Sequence, residues 1–396
     1  MSGPPFGVRE VRIGGFRSAR SVSFAPGPVC ALVGGPSVGK SNVLAAVWML
    51  LQRGEPAPAV GDISAGTEEP IELSATLSDG EEISLRARPP APASTSGEPI
   101  PVLFMPAALR SSALVAGPVR SDIAARLAAR YFPAGEPDSS AAPAAALVAG
   151  LEMMCEAGEH GLVLVIEEPE LFLRPQAQRY LYRLLRRFAE NANQVLYSTH
   201  EPVFLNVGRL EELALVEQSP RAGTRVTQPH ALGADESFRA LSELDAERGE
   251  LLLARAVLLV EGRTEKLTFP FVFGALGFDA DRDAVTIVDC GGKPNIPLFI
   301  RICQAAEIPC VAVHDRDAPA GRRPSQAQRV VNTEIAELAG ADRTFVLAPD
   351  FEAVAGLRGH RHKPARAWQR FSEMQPAGVP PALARVVRKV IALARA

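Results

Sequence analysis

The sequence predicts an α/β protein in two parts, and three observations carry that prediction. The first is an aliphatic run entering a glycine-rich turn, PVCALVGGPSVGKS at 28–41, followed at once by a helical pattern, NVLAAVWMLLQR. The second is a pair of apolar runs that end in polar residues, LVLVIEEPE at 162–170 and QVLYSTH at 194–200. The third is a change of rhythm beyond residue 245, where strands and helices alternate as right-handed crossovers in a mainly parallel sheet require. At 396 residues the chain exceeds one ordinary core and fits about two domains.

In chain order, residues 8–14 and 20–25 alternate as an opening hairpin, and 28–35 form a buried strand. Residues 68–88 read as two strands around Asp79-Gly80, a hairpin signal, and the Pro/Ala/Ser-rich stretch 89–101 as a loop. Alanine-rich helices are expected at 121–131 and 141–157, separated by FPAGEPDSS. The strand LVLVIEEPE, the helix RPQAQRYLYRLLRRFAE and the strand QVLYSTH follow. The helix carries its apolar residues at core spacing with a basic exterior. Residues 208–245 are polar and irregular, which sets the domain boundary near 245. The second part then runs AVLLV, a helix, AVTIVD, IPLFIRICQAA, PCVAVHD, a helix at about 325–339, and TFVLAP. The expected division is 1–245, 246–375 and a C-terminal helix at 376–396.

Composition narrows the function. With 47% hydrophobic and 22% charged residues the chain is globular, and no apolar run approaches the ~20 residues that cross a bilayer. The N-terminus lacks a signal-peptide pattern, so the expected setting is cytoplasmic with no membrane partner. Five cysteines without a CxxC pair suit reduced core thiols. A net charge of -3 means that any nucleic-acid contact must come from local patches. Of 42 basic residues only Lys40, Lys266, Lys293, Lys363 and Lys389 are lysines, so each is a candidate for a task a guanidinium cannot do.

Residues 34–41, GGPSVGKS, match G-x-x-x-x-G-K-[ST] between a strand and a helix. From Gly34 through Gly39 the loop's N–H groups cradle phosphate, Lys40 reaches the β and γ phosphates of ATP, and Ser41 ligands Mg²⁺. The strand LVLVIEEPE delivers Glu167 to that metal and Glu168, as general base, to a water beside the γ-phosphate. His200, ending another strand, is placed to sense the γ-phosphate.

With these motifs in view, residues 8–206 resemble the ABC-type ATPases of the SMC, RecF and RecN kind. VREVRIGGFRSARSVSF, the phosphate loop, VLVIEEPELFLRP and VLYSTHEPVFL carry the resemblance. It implies that Glu167 is the Walker B acid, Glu168 the catalytic glutamate and His200 the switch histidine, in a homodimer joined through the ATPase domain. The stretch between Lys40 and Glu167 is too short for a long coiled-coil arm. The family's serine-glycine signature is replaced by DSSAAPAAALVAGLEMM, where Ser139 or Ser140 stands without the glycines that let backbone approach phosphate. Slow or lost hydrolysis is therefore expected, with ATP acting as a binding switch.

In the second part VLLVEGRTE ends a strand at Glu261, turns at Gly262 and places Glu265 on the first helical turn. VAVHDRDAP ends another strand with Asp315 and Asp317, whose side chains point the same way across Arg316. Hard oxygen donors at strand ends suit Mg²⁺ or Mn²⁺, and the same acids gathered without metal would repel one another. Asp350 and Glu352 follow a third strand, and two ions there could cleave a phosphodiester.

Residues 254–355 resemble the Toprim domain of primases, topoisomerases and certain nucleases, through V-E-G followed by D-x-D. With the ATPase part, the chain resembles the overcoming-lysogenisation-defect (OLD) family of ATP-dependent endonucleases, through LLLARAVLLVEGRTEKLTFP, VDCGGKPNIPLFI and VHDRDAP. The resemblance implies an ABC-type P-loop ATPase domain plus a C-terminal Toprim domain, Rossmann-like with a mainly parallel sheet. It implies DNA as substrate, phage defence as the setting, and Glu261, Glu265, Asp315, Asp317 and Glu352 as metal ligands or general base, with Mg²⁺, Mn²⁺ or Ca²⁺. It also implies a late catalytic lysine, Lys363 or alternatively Lys293. Arg316, Arg322, Arg323, Arg358, Arg361, Arg366 and Arg370 surround the site in sequence as candidate phosphate contacts. The leading expectation is a metal-dependent endonuclease or nickase coupled to an ATP-driven dimer. The alternative is an ATP-gated sensor whose Toprim part is a scaffold. A primase or topoisomerase fits poorly, since no zinc motif or clear tyrosine nucleophile is present.

Overall fold

The computed structural model describes residues 6–55, 57–66, 69–97, 100–107, 130–131, 142–205, 207–219, 221–243, 245–318, 324–357 and 363–396. Ser139, Ser140 and nearly all of the helix expected at 121–131 lie outside them. The chain divides into two compact units, Met1–Pro229 and His230–Ala396.

The first unit is built on an eleven-stranded sheet among the described residues. Its strands are β1 (Val8–Phe16), β2 (Ala19–Phe24), β3 (Val29–Val33), β4 (Ile71–Leu77), β5 (Glu82–Ala87), β6 (Ser94–Ser96), β7 (Val102–Met105), β8 (Val163–Glu167), β9 (Gln194–Thr199), β10 (Leu213–Ser219) and β11 (Gly223–Thr227). They lie in the order β6-β5-β4-β1-β2-β11-β10-β3-β9-β8-β7. The β4–β5 hairpin alternates buried and exposed residues around Asp79-Gly80, as a half-solvated antiparallel pair must. By contrast β3 and β9 are buried throughout, and both are parallel to their sheet neighbours, with Val33 paired to Thr199 and Glu167 to Ser198. That register brings the carboxyl ends of β3, β8 and β9 side by side, where ligands bind in open α/β sheets.

Four strands were not anticipated. β6 lies in the Pro/Ala/Ser-rich stretch 89–101 that was expected to be a loop, and it forms a strand by antiparallel pairing with β5. β7 falls in a proline-bounded run and is buried by parallel pairing with β8, a partner far along the chain. β10 and β11 lie in the polar stretch beyond 208, and β10 runs parallel to β3. Helix α1 (Lys40–Leu51) packs across β1, β4, β8 and β9. Two further helices, α2 (Ala142–Ala157) and α3 (Pro175–Glu190), pack together. Proline opens α3, and Leu181, Leu184, Leu185 and Phe188 form its buried stripe, as its spacing predicts.

The second unit holds four parallel strands, β12 (Ala256–Val260), β13 (Val285–Asp289), β14 (Cys310–Asp315) and β15 (Thr344–Leu347), in the order β13-β12-β14-β15. Its helices are α4 (Ala234–Glu243), α5 (Ala246–Gly249), α6 (Arg263–Ala275), α7 (Ile296–Ala305), α8 (Gln326–Ala339), α9 (Phe351–Ala355), α10 (Lys363–Phe371) and α11 (Pro381–Ala394). Residues 230–245, expected to close the first domain, are tied into this unit: His230 N donates to Ala305 O at 3.0 Å, and Arg301 pairs with Glu236 at 3.0 Å. The C-terminal helix α11 is likewise core. Leu383, Val386, Val387 and Val390 pack with Leu258 and Val260, each burial worth roughly 1.5–3 kcal/mol relative to exposure.

All five cysteines are free thiols, four of them buried. No helix among the described residues is long and apolar enough to cross a membrane.

Candidate active site: a nucleotide cradle and an acid cluster

The cradle in the first unit grows from the end of β3. Gly34 is buried so tightly that a Cβ there would stand 2.2 Å from the Val216 carbonyl oxygen. Gly39 turns into α1 at φ 105, where a Cβ would meet Thr224 Oγ1 at 2.0 Å, so both positions require glycine. Thr224 Oγ1 donates to the Val38 carbonyl at 3.0 Å, so β11 supports the loop from beneath. Lys40 is buried, and its Nζ donates to the carbonyls of Gly34 at 2.8 Å and Gly35 at 2.7 Å. Burial lowers its pKa while the charges of Glu168 and Glu170 oppose that shift. Ser41 follows, exposed on the first turn of α1.

Glu167 ends β8, and its Oε2 accepts from the Ala107 amide at 2.9 Å. Glu168 adopts a left-handed φ of 44, with its N–H donating to Ser198 O at 2.9 Å. His200 Nδ1 lies 3.5 Å from Glu168 Oε1 and 3.9 Å from Glu170 Oε1. The structure thus brings Glu168 and His200 together and adds Glu170, which the sequence analysis did not assign to the site. Glu170 is buried and accepts from Thr199 Oγ1 at 2.7 Å, and burial raises its pKa. The signal was present: a third acid two residues beyond the pair, aimed back at the β9 terminus.

In the second unit the strand ends carry the acids. Glu261 follows β12 and its Oε1 accepts from the Asp315 amide at 2.6 Å. Asp315 ends β14 and its Oδ1 accepts from the Phe351 amide at 2.7 Å. Burial, then the charges of Glu261, Glu265 and Glu352, push the Asp315 carboxyl up to about 8. Burial, with Glu261, Glu352 and Asp289 nearby, pushes buried Glu265 up to about 7. Burial also raises Glu261, against hydrogen bonding by the Asp315 amide and the charge of Lys293. Asp317 stands at a left-handed φ of 57.

Two lysines flank these acids. Lys293 is 6% exposed, and its Nζ donates to Asp317 Oδ2 and the Asp315 carbonyl and lies 3.6 Å from Glu261 Oε1. Lys363 opens α10 with its Nζ 2.5 Å from Glu352 Oε1, a hydrogen bond that raises its pKa. Both lysines therefore reach the acid cluster, Lys293 at Glu261 and Asp317 and Lys363 at Glu352. Asp350 takes a local role, its Oδ1 accepting from Ala353 N at 2.7 Å as the cap of α9. Arg322, Arg323, Arg358 and Arg361 lie outside the described residues, and the Arg370 guanidinium sits over Gly356.

The donor set fits a hard divalent cation in chemistry: it is made of carboxylate oxygens, and at Glu265 and Asp315 burial and the charges of Glu261 and Glu352 raise the proton affinity. Among the described residues, however, no three acid, histidine or cysteine side chains converge as a ready-made cage. Lys293 reaches into the centre, and Glu261 and Asp315 each spend an oxygen on a backbone amide. A pH dependence follows. Carboxyls raised in the folded state stabilise it fully below their unfolded pKa near 4, and that stability is lost as pH rises toward about 7 and 8. A cation that neutralises them should raise the melting temperature by more at pH 8.5 than at pH 6. Thermal unfolding with Mn²⁺ or EDTA checks this, and an increment independent of pH contradicts it.

Comparisons with known proteins find a separate family model in each of the two units. Residues 252–317 match the family model described as "Overcoming lysogenization defect protein-like, TOPRIM domain". Residues 144–206 match "AAA domain, putative AbiEii toxin, Type IV TA system". The OLD nuclease of Thermus scotoductus (strain ATCC 700910 / SA-01) is 35% identical over 268 residues, 62% of this chain and 50% of that protein. The matched region thus spans about half the length of that relative. Among solved structures, the SMC head domain from Thermotoga maritima is 17% identical, with 57% of this chain and 99% of that one covered, at a TM-score of 0.38. The C-terminal region of the Burkholderia pseudomallei OLD protein is 16% identical, with 36% and 99% covered, at 0.31.

Proposed function

Taking the chain as a member of the OLD family, an ABC-type ATPase domain followed by a Toprim domain, we propose that it is an ATP-binding, divalent-metal-dependent DNA endonuclease or nickase. The observation that carries the reading is the gathering of Glu261, Glu265, Asp315 and Glu352 around parallel strand ends, close enough that the charges of Glu261 and Glu352 raise the proton affinities of Glu265 and Asp315. We assign the ATPase to residues 1–229 and the nuclease to 230–396.

Glu261, Glu265, Asp315, Asp317 and Glu352 would hold Mg²⁺ or Mn²⁺, with Ca²⁺ as a third candidate, in a two-metal site. A bound divalent cation would supply polarisation of the scissile phosphate and a water acidified toward neutrality. Glu261 is the candidate general base. Lys293 and Lys363 bring positive charge to the acids, and either can meet charge building on the phosphate. In the ATPase part, Lys40 would exchange the Gly34 and Gly35 carbonyls for the β and γ phosphates of bound ATP, and Glu167 and Ser41 would hold Mg²⁺. Glu168 would orient water, and His200, 3.5 Å from it, would contact the γ-phosphate. Two copies would associate through this domain when the nucleotide is bound.

The test is supercoiled plasmid incubated with protein while metal and ATP are varied independently. Nicked circles are expected with Mn²⁺ or Mg²⁺ and none with EDTA. Intact plasmid with all three ions overturns the proposal. One observation favours a second reading, an ATP-gated DNA-binding sensor with a non-cleaving Toprim scaffold: Lys293 already neutralises part of the acid cluster. That reading predicts nucleotide-dependent DNA binding without cleavage.

A further inference from the structure

Lys293 is carried by a tight turn that has little stiffness of its own. Gly291 (φ 71) and Gly292 (φ 122) precede it, and it opens a single 3-10 turn, Lys293–Asn295. Holding a buried ammonium among acids at the end of a flexible four-carbon stem demands that this turn be fixed. One side is fixed by the sheet: Cys290 N donates to Val260 O at 3.0 Å and Gly292 N to Glu261 O at 2.7 Å.

The other side is held by residues before β12. Arg248 Nε donates to the Asp289 carbonyl at 2.8 Å, and its Nη1 donates to the Glu243 carbonyl at 2.5 Å. The guanidinium lies close against the turn, since a Cβ on Gly291 would stand 3.2 Å from Arg248 Nη2 and 3.6 Å from Asn295 Nδ2. Asn295 Nδ2 donates to the Cys290 carbonyl at 3.0 Å, and Arg239 Nη2 reaches Asn295 Oδ1 at 3.3 Å. Arg248 is itself seated: its amide donates to Asp245 Oδ1 at 2.9 Å, and Phe299 lies beneath the guanidinium. A planar fork bonding two main-chain carbonyls is a task lysine cannot take over.

We propose that Arg248 is a positioning residue, clamping the 289–295 turn so that the Lys293 ammonium stands inside the acid cluster and competes there with a divalent cation. The inference rests on the metal-site reading above. Its consequence is that the cluster's cation affinity is set in part from α5, by a side chain that reaches none of the acids in the cluster.

The experiment measures Mn²⁺ binding to the metal-stripped full chain by electron paramagnetic resonance for wild type, Lys293→Met, Arg248→Ala, Arg248→Lys and the Arg248→Ala/Lys293→Met pair. Methionine keeps the stem and removes the charge, and thermal unfolding confirms that each variant folds. Lys293→Met is expected to tighten Mn²⁺ binding on the order of tenfold, from Coulomb energies of kcal/mol size between charges a few ångströms apart. Arg248→Ala and Arg248→Lys are each expected to tighten it by a smaller factor. Adding Arg248→Ala to Lys293→Met should change nothing further, because the clamp acts through the lysine. An Arg248→Ala protein with wild-type affinity, or the same factor in both backgrounds, overturns the inference alone. Absence of Mn²⁺ binding by wild type and by Lys293→Met overturns the metal-site reading and this inference with it.

Discussion

Replacing Asp315 by asparagine is expected to reduce plasmid nicking by roughly 10²- to 10³-fold, the rate equivalent of several kcal/mol of metal-derived charge stabilisation. Asparagine keeps an oxygen to accept from the Phe351 amide, so the connection between β14 and α9 survives. It removes a carboxylate that burial and three acidic neighbours already disfavour. The melting temperature of the metal-free variant at pH 8.5 should therefore equal or exceed that of wild type while nicking is lost. Asp315→Ala should be as inactive and less stable, since it also strips the buried amide of its acceptor. Glu261→Ala is expected to match it, because Glu261 Oε1 serves the Asp315 amide in the same way. If Asp315→Asn nicks at the wild-type rate, Asp315 is structural and the proposal that these strand-end acids hold the nicking metals falls.

Lys40→Ala should weaken MgATP binding roughly tenfold to hundredfold, the worth of a charge-assisted hydrogen bond, and should abolish any ATP-dependent dimer seen by light scattering. In the structure the ammonium is parked on the Gly34 and Gly35 carbonyls, so its removal leaves two loop carbonyls without that donor as well as the phosphates. Basal plasmid nicking without ATP is expected to persist, because the acid cluster draws all its groups from residues 261–363. A Lys40→Ala protein that still dimerises on ATP would remove the proposed role of nucleotide.

The parts of the fold that were legible are those whose neighbours in space are also signalled by strong local pattern. β3, β8, β9, β12 and β14 announce themselves as apolar runs ending in glycine, acid or Thr-His, each beside a candidate site residue, and β13 as an aliphatic run ending in Asp289. β7 was not legible, because four buried residues between prolines owe their strand conformation to β8 rather than to their own pattern. β10 and β11 were missed for the same reason, since polar composition hid two strands that complete the sheet beside the phosphate loop. Within the sites, residue types at strand ends were readable and electrostatic partners were not. Nothing in the GGKPN turn says that Lys293 reaches Asp317 and the Asp315 carbonyl while Lys363 reaches Glu352. Glu170 carried no assignment in the sequence, and its burial is what sets it apart.

The placement of residues 230–249 with the second unit bears on how the proposed nuclease part can be excised. A fragment begun at 246 keeps Arg248 but discards α4, and with it Glu236 opposite Arg301, Arg239 opposite Asn295 and the Glu243 carbonyl that Arg248 holds. Such a piece should express poorly or melt early, and a failure to cut DNA would say nothing about its acids. A fragment begun at His230 carries its own brace, so the first unit can be deleted without loosening the turn that bears Lys293. The natural seam for joining the second unit to a different partner domain therefore lies before α4, between Pro229 and His230.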